Sequence, residues 1–184
     1  DASIATIQMD ASKGFQKMEG FGFALNGGSA ALIDQLPSVK KQALLKEIFG
    51  KGKDDLGVNY IRISIGASDL DAHVFSYDDL PKGETDSLLL KFSLSEDTLH
   101  LIPILKKALV INPSLKIMAS PWSPPVWMKT NGFSMGGHLL KQYYASYANY
   151  FVKYIQSMQK QGIPITSVTL QNEPEHGGNN PSLL

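Results

Sequence analysis

The sequence predicts an α/β fold, the first half of a (β/α)8 TIM barrel, on three observations. Short β-branched apolar runs alternate with longer segments whose apolar residues recur every three or four positions, an order that pairs strands in parallel through right-handed crossovers. Four such strands are read along the 184 residues, half the number that closes a barrel. The rival, a doubly wound nucleotide-binding sheet, needs a phosphate loop after its first strand. Gly20-Phe21-Gly22 and Gly27-Gly28-Ser29 have neither G-x-G-x-x-G spacing nor a P-loop lysine.

Residues 1–15 stand apart, because Ile4, Ile7 and Met9 read as an extra strand outside the barrel, which occupies residues 16–184. The first barrel strand is Phe21–Leu25, weakened by Gly20 and Gly22. A helix follows, with Pro37 suited to its first turn, Leu44, Leu45 and Ile48 on one face, and Gly50 at its end. The second strand, Val58–Ile65, is β-branched and nearly all apolar, as a strand buried on both faces is. Ile63 and Ile65 are expected to point into the barrel. Ser93 and Glu96 have capping-box spacing and open a helix to Ile111, inside which Pro103 demands a late start or a kink. Leu115–Ala119 is the third strand. Leu140, Tyr143, Tyr144, Tyr147, Phe151, Tyr154, Ile155 and Met158 then keep helical spacing until Gly162 and Pro164, which reads as a helix packed on a sheet. Ser167–Leu170 is the fourth strand.

Composition narrows the partners. Lys+Arg and Asp+Glu both number 17, so the basic footprint of a nucleic-acid or anionic-membrane binder is missing and a neutral partner is expected. Apolar residues at 43% against 18% charged supply a real core. The chain has no cysteine, which removes disulfides, thiolate metal sites and Cys nucleophiles. Apolar runs are broken by Lys106 and Lys107 and fall short of the roughly 18 residues of a membrane span. Neither a cofactor nor an integral membrane contact is expected. Asp1 follows no Met, basic or apolar leader, and such a start fits a trimmed secreted or periplasmic protein as well as an excised piece.

In parallel α/β folds the reacting groups collect at the carboxyl ends of strands. Asn26-Gly27-Gly28-Ser29 follows the first strand; the second carries Arg62 and runs into a long loop, Gly66 to Ser95, with Asp69 and Asp71. Ser120-Pro121-Trp122-Ser123-Pro124-Pro125-Val126-Trp127 follows the third and holds both tryptophans, while the fourth ends in Gln171-Asn172-Glu173-Pro174. Loops of this length inside a domain are usually lids or binding surfaces. Tryptophan faces stack on the C–H faces of sugar rings, and the alternative is that Trp122 and Trp127 simply cover the barrel mouth, Pro124-Pro125 turning Trp127 away. Glu173, beside Asn172 and fixed by Pro174, is placed where a partly apolar setting raises a carboxyl pKa and makes a general acid. His176 and Glu175 hint at a metal, but no second ligand pair has suitable spacing, and His73, His100 and His138 are scattered. Asp69, Asp71, Asp78, Asp79, Glu84 and Asp86 make the long loop read as polar, which favours a soluble polymer over a lipid at the mouth.

Four stretches together resemble glycoside hydrolase family 30, in its glucosylceramidase and β-1,6-glucanase branch. They are Met18-Glu19-Gly20-Phe21-Gly22-Phe23-Ala24-Leu25, Tyr60-Ile61-Arg62-Ile63, Ala119 to Gly132 and Leu170-Gln171-Asn172-Glu173-Pro174. The resemblance runs from about residue 16 to residue 184 and implies a (β/α)8 barrel with a side β-domain, to which residues 1–15 then contribute a strand. It implies retaining hydrolysis of β-glycosides, with Glu173 as acid/base, Asn172 as the partner of the sugar 2-OH, Trp122 as a sugar platform, and Arg62 and Asp69 lining the glycone end; Trp127 is the further candidate for substrate contact. Relatives often carry Thr-Asp after the first strand where this chain has Asn26-Gly27, a departure that bears on glucose specificity.

Retaining glycosidases use two carboxyl groups roughly 5–5.5 Å apart. The family's nucleophile is a Glu on a later strand, so no residue of this chain is assigned that role, and the chain is expected to need the C-terminal half of the barrel and to be inactive alone. The expected substrate is β-linked glucose, as β-1,6-glucan or a glucosylceramide-like glycoside, with β-1,4-xylan as the alternative glycan. A non-catalytic carbohydrate-binding or interaction protein on a partial barrel is the competing class.

Overall fold

A three-stranded parallel sheet in the order β1-β2-β3 organises the chain, with β1 at Tyr60–Ile65, β2 at Lys116–Pro121 and β3 at Ser167–Val168. This is seen in a computed structural model, which describes residues 5–184. Helices α1 (Gly27–Asp34) and α2 (Ser38–Phe49) precede β1; α3 (Ser95–Leu99) and α4 (Leu101–Ile111) separate β1 from β2; α5 (Tyr144–Lys160) separates β2 from β3. Consecutive strands are neighbours in register, Arg62 beside Met118 and Met118 beside Ser167.

The expected first strand, Phe21–Leu25, lies beside β1 without forming a full ladder. It makes one parallel bridge, Ala24 to Arg62, and backbone bonds Arg62 N to Phe23 O (3.0 Å) and Leu25 N to Arg62 O (2.8 Å). Gly22 permits this approach, because a Cβ there would stand 1.5 Å from the Tyr60 carbonyl oxygen. The fourth strand is shorter than expected, yet Thr169 N to Ala119 O (3.0 Å) and Asn172 N to Pro121 O (2.8 Å) carry the pairing up to the site.

The faces of β1 reverse the sequence expectation for its isoleucines. Ile61, Ile63 and Ile65 belong to one buried core with Leu45, Phe49, Ile104, Leu105, Ala108, Tyr154 and Met158 of the helices. Ile63 and Ile65 thus face the helices and not the barrel interior. Period-two alternation leaves Tyr60, Arg62 and Ser64 on the other face, with Met118, Ser120 and Ser167 from the neighbouring strands. This interior face is largely polar.

Asn26-Gly27-Gly28-Ser29, expected as loop, instead starts α1. Asn26 is the N-cap, its Oδ1 accepting from Ser29 N at 2.8 Å. Adjacent glycines are poor helix formers and hid this element. They are used for contact: a Cβ on Gly28 would meet the Leu70 carbonyl oxygen at 1.9 Å, so the loop after β1 rests directly on the start of α1. In α2, Pro37 is the N-cap residue, one position before the first turn it was expected to occupy.

The helix expected over residues 96–111 is two helices broken at His100, at φ −136° and ψ −51°. Pro103 lacks the N–H that would reach Leu99 O, and its ring crowds that carbonyl, so the break falls three residues before the proline. The Ser93–Glu96 capping box does not form. Leu94 is the N-cap, Ser93 Oγ accepts from Ser95 N at 3.2 Å, and Glu96 pairs with His73 at 3.2 Å.

Helix α5 buries Tyr147, Tyr150, Tyr154 and Met158, whereas Tyr144 is exposed. Tyr150, absent from the expected stripe, is central to it. Tyr77 of the long loop stacks on Tyr154 and Tyr150 at 5.5 and 5.9 Å, and its N–H donates to Tyr150 Oη at 3.0 Å. Tyr77 Oη donates to buried Asp97 at 2.6 Å; burial pushes Asp97 up to about 7, against the lowering effect of that bond. The loop 66–95 is therefore anchored in the core. Its acids also close its own turns: Asp71 accepts from Ser68 N, Asp79 from Ser76 N and Asp86 from Lys91 N. Asp78 is buried, and burial followed by the charges of Asp86 and Asp79 pushes it up to about 6. These acids, expected as polar groups of the mouth, are used on the loop's own fold.

Residues 5–10 form no strand, and Ile7 and Met9 are 90% and 91% exposed. An edge strand needs a partner sheet, and within these residues none approaches. Ile4 lies outside the described residues.

Candidate active site

Arg62 is the hub of the interior face at the carboxyl ends of the strands. Its Nη2 donates to Ser120 Oγ at 2.9 Å and to Asn172 Oδ1 at 2.5 Å, joining β1, β2 and the segment after β3. Thr169 Oγ1 donates to the same Ser120 Oγ at 2.6 Å. Gln171 Nε2 bridges the Trp122 carbonyl (2.8 Å) and the Asn172 carbonyl (2.9 Å), so the tryptophan loop and the Asn172-Glu173 turn are held as one unit. Because Arg62 can only donate, it fixes the Asn172 amide with its oxygen inward and its NH2 as the group left to donate.

Glu173 follows at φ 44°, and Glu175 at φ 69°, in the left-handed region. For a non-glycine residue such backbone costs about 1–3 kcal/mol and persists where surroundings over-determine it, typically at functional sites. Asn172 N on Pro121 O and His176 N on Glu173 O (3.1 Å) supply that constraint on either side. Glu173 is exposed, its Oε2 accepting from Asn179 Nδ2 at 2.5 Å. The apolar surroundings expected for this carboxyl are thus not provided by residues 5–184.

Trp122 is half-buried beside this cluster, and its indole N–H meets no acceptor among the described residues. Trp127 is placed differently. Its Nε1 donates to the Asp78 carbonyl at 2.9 Å and its ring meets Tyr143 edge-on at 4.9 Å, so it packs the long loop against the start of α5. Of the two readings open for it, the structure shows packing. Asp69 is exposed in the turn closed by Asp71 and makes no bond to the cluster. The structure therefore brings Arg62, Asn172 and Trp122 into one hydrogen-bonded unit next to Glu173, and leaves Asp69 and Trp127 outside it.

Sequence reasoning missed Ser120, Gln171 and Asn179. Ser120 is legible as the register partner of Ser64 at a strand end. Asn179 carries no spacing signal, since it returns to Glu173 through a loop. Among the described residues no three His, Asp or Glu gather as metal ligands, and no helix is long and apolar enough to cross a membrane.

Arg62→Ala is expected to take from Asn172 Oδ1 and Ser120 Oγ their Arg62 donor and lower stability by about 1–3 kcal/mol, the range for a buried polar group left unsatisfied. Activity should fall with it. Thermal melts and kcat/KM of the full-length protein check both, and an unchanged melting temperature with full activity would remove Arg62 from the role of hub.

Comparison with known proteins follows the same strands. The family model described as glycosyl hydrolase family 30 TIM-barrel domain matches residues 18–183. An endo-1,6-β-D-glucanase of Neurospora crassa is 37% identical over 166 residues, covering 86% of this chain and 34% of that protein. A lysosomal acid glucosylceramidase of Mus musculus is 35% identical over 181 residues, covering 95% of this chain and 34% of that protein. A solved endo-β-1,6-glucanase superposes with a TM-score of 0.86 at 38% identity, over 95% of this chain and 39% of its own. The chain spans about a third of the length of the curated relatives it matches. With the family model covering nearly all of its residues and its parallel strands forming part of a (β/α)8 barrel, the chain belongs to glycoside hydrolase family 30.

Proposed function

We propose that the full-length protein hydrolyses β-linked glucose polymers, with β-1,6-glucan as substrate, and retains anomeric configuration through two carboxyl groups. The observation that supports this reading is the Arg62-Asn172-Gln171-Trp122 unit, which ties the tryptophan loop to the turn that carries Glu173 at the carboxyl end of the sheet. Glu173 protonates the departing glycosidic oxygen and then takes a proton from the attacking water. Asn172, oxygen-locked by Arg62, donates its NH2 to the sugar 2-OH. Trp122 offers its face to the ring. The nucleophile comes from a later strand, in the part of the relatives' length that this chain does not span. The 38% identity and 0.86 TM-score to an endo-β-1,6-glucanase favour that glycan over a glycolipid. A polymeric glucan is met outside the cell, which fits a secreted or periplasmic enzyme.

Product analysis on β-1,6-glucan, β-1,4-xylan and glucosylceramide tests the substrate. Release of β-1,6-linked glucose oligomers is the expected result. Turnover confined to xylan or to glucosylceramide would overturn the assignment.

A further inference from the structure

Lys129 is 3% exposed and pairs with no carboxylate among the described residues. Its Nζ donates to Ser182 O (2.6 Å), Ser134 O (2.8 Å) and Ser123 Oγ (3.0 Å), using all three ammonium protons. Ser123 and Ser134 belong to the connection that follows β2, and Ser182 to the segment beyond Glu173. A buried cation without a counter-ion is costly, and burial pushes this ammonium down to about 8. The fold tolerates that cost where the connection after β2 meets the segment after β3.

The clamp has a direct line to the carboxyl group. Ser134 Oγ donates to Asn180 Oδ1 at 2.6 Å, Ser182 N donates to Ser134 O at 3.0 Å and Gly136 N donates to Ser182 Oγ at 2.9 Å, so the strip 179–182 is sewn to the loop 134–136. The first residue of that strip is Asn179, whose Nδ2 holds Glu173 Oε2. This bond fixes the rotation of a carboxyl group that is otherwise exposed.

We propose that Asn179 is a positioning residue that orients the Glu173 carboxyl group for proton transfer, and that the Lys129 clamp holds Asn179 in place through residues 180–182. The proposal rests on the reading of Glu173 as acid/base. If it is right, losing Asn179 damages protonation of the leaving group more than it damages binding.

The test uses the full-length enzyme and two β-glucosides, one with an alkyl and one with a 2,4-dinitrophenyl leaving group, the latter needing no protonation. Asn179→Ala should lower kcat/KM on the alkyl glucoside about ten- to hundredfold, the worth of one hydrogen bond to a charged group, with a change of a few fold on the dinitrophenyl glucoside. Ser134→Ala, which removes the side-chain bond to Asn180 and leaves the backbone bonds at Ser134 O in place, should show a smaller contrast of the same sign and add nothing in the Asn179→Ala background. Equal losses on both substrates, or no loss, would overturn the positioning role; additive losses would overturn the link to the clamp. Glu173→Gln is run beside them. Should it lack the leaving-group contrast, the acid/base reading fails; should it show the contrast while Asn179→Ala does not, only the present inference fails.

Discussion

Glu173→Gln in the full-length enzyme is expected to lower turnover of β-1,6-glucan by about 10²–10⁴-fold, the range contributed by general acid catalysis. A sugar alkoxide is a poor leaving group and needs its proton. A dinitrophenolate does not, so the first step on the dinitrophenyl glucoside should stay within a few fold of the parent. The second step, in which the same residue deprotonates water, remains slow. Dinitrophenolate should therefore appear as a burst followed by a slow steady state, the sign of an accumulating glycosyl-enzyme. Rapid-mixing absorbance measurements resolve the two phases. Equal losses on both substrates and no burst would assign Glu173 a structural task, most simply that of holding the strained turn between Asn172 and His176.

Residues 1–184 expressed alone are expected to show no glycosidase turnover and no covalent adduct with a fluorosugar inactivator. Retention requires two carboxyl groups roughly 5–5.5 Å apart on opposite sides of the bond, and Glu173, next to Asn172 of the Arg62 cluster, is expected to find its counterpart on a later strand. Packing points the same way. The isoleucines of β1 are already covered by helices, yet the sheet's outer edges are open, with Phe21 and Leu170 72% and 84% exposed. Such edges invite self-association, so the piece should run large on size-exclusion chromatography. A monomeric, cooperatively melting and hydrolytic piece would contradict both the partial-barrel account and the placement of the nucleophile elsewhere.

Helix and strand order was legible because Val58–Ile65 is a short β-branched run and α5 keeps helical spacing of its apolar side chains, which have one face on which to pack. The partial barrel followed from that order. What stayed hidden was set by contacts distant in sequence. Gly27 and Gly28 look like loop residues until Asp71 and Leu70 are seen resting on them, and Ile63 looks inward until the helices claim it. That Arg62, Asn172 and Trp122 come together was legible from their place at strand ends, where parallel α/β folds collect their loops. Asp69 was expected at the glycone end from the family resemblance, and no hydrogen bond among the described residues joins it to the Arg62 cluster. Asn179 and Lys129 act through loop returns that no spacing rule describes.

Azide rescue of Glu173→Ala tests the central claim most directly. With the carboxylate removed, azide can enter the space it leaves and attack the glycosyl-enzyme formed from the dinitrophenyl glucoside. If Glu173 is the acid/base of a retaining mechanism, rate recovers with azide concentration and the product is the β-glucosyl azide, identified by the coupling constant of its anomeric proton. An α-glucosyl azide would make Glu173 the nucleophile instead, and no azide product at all would remove it from the chemistry.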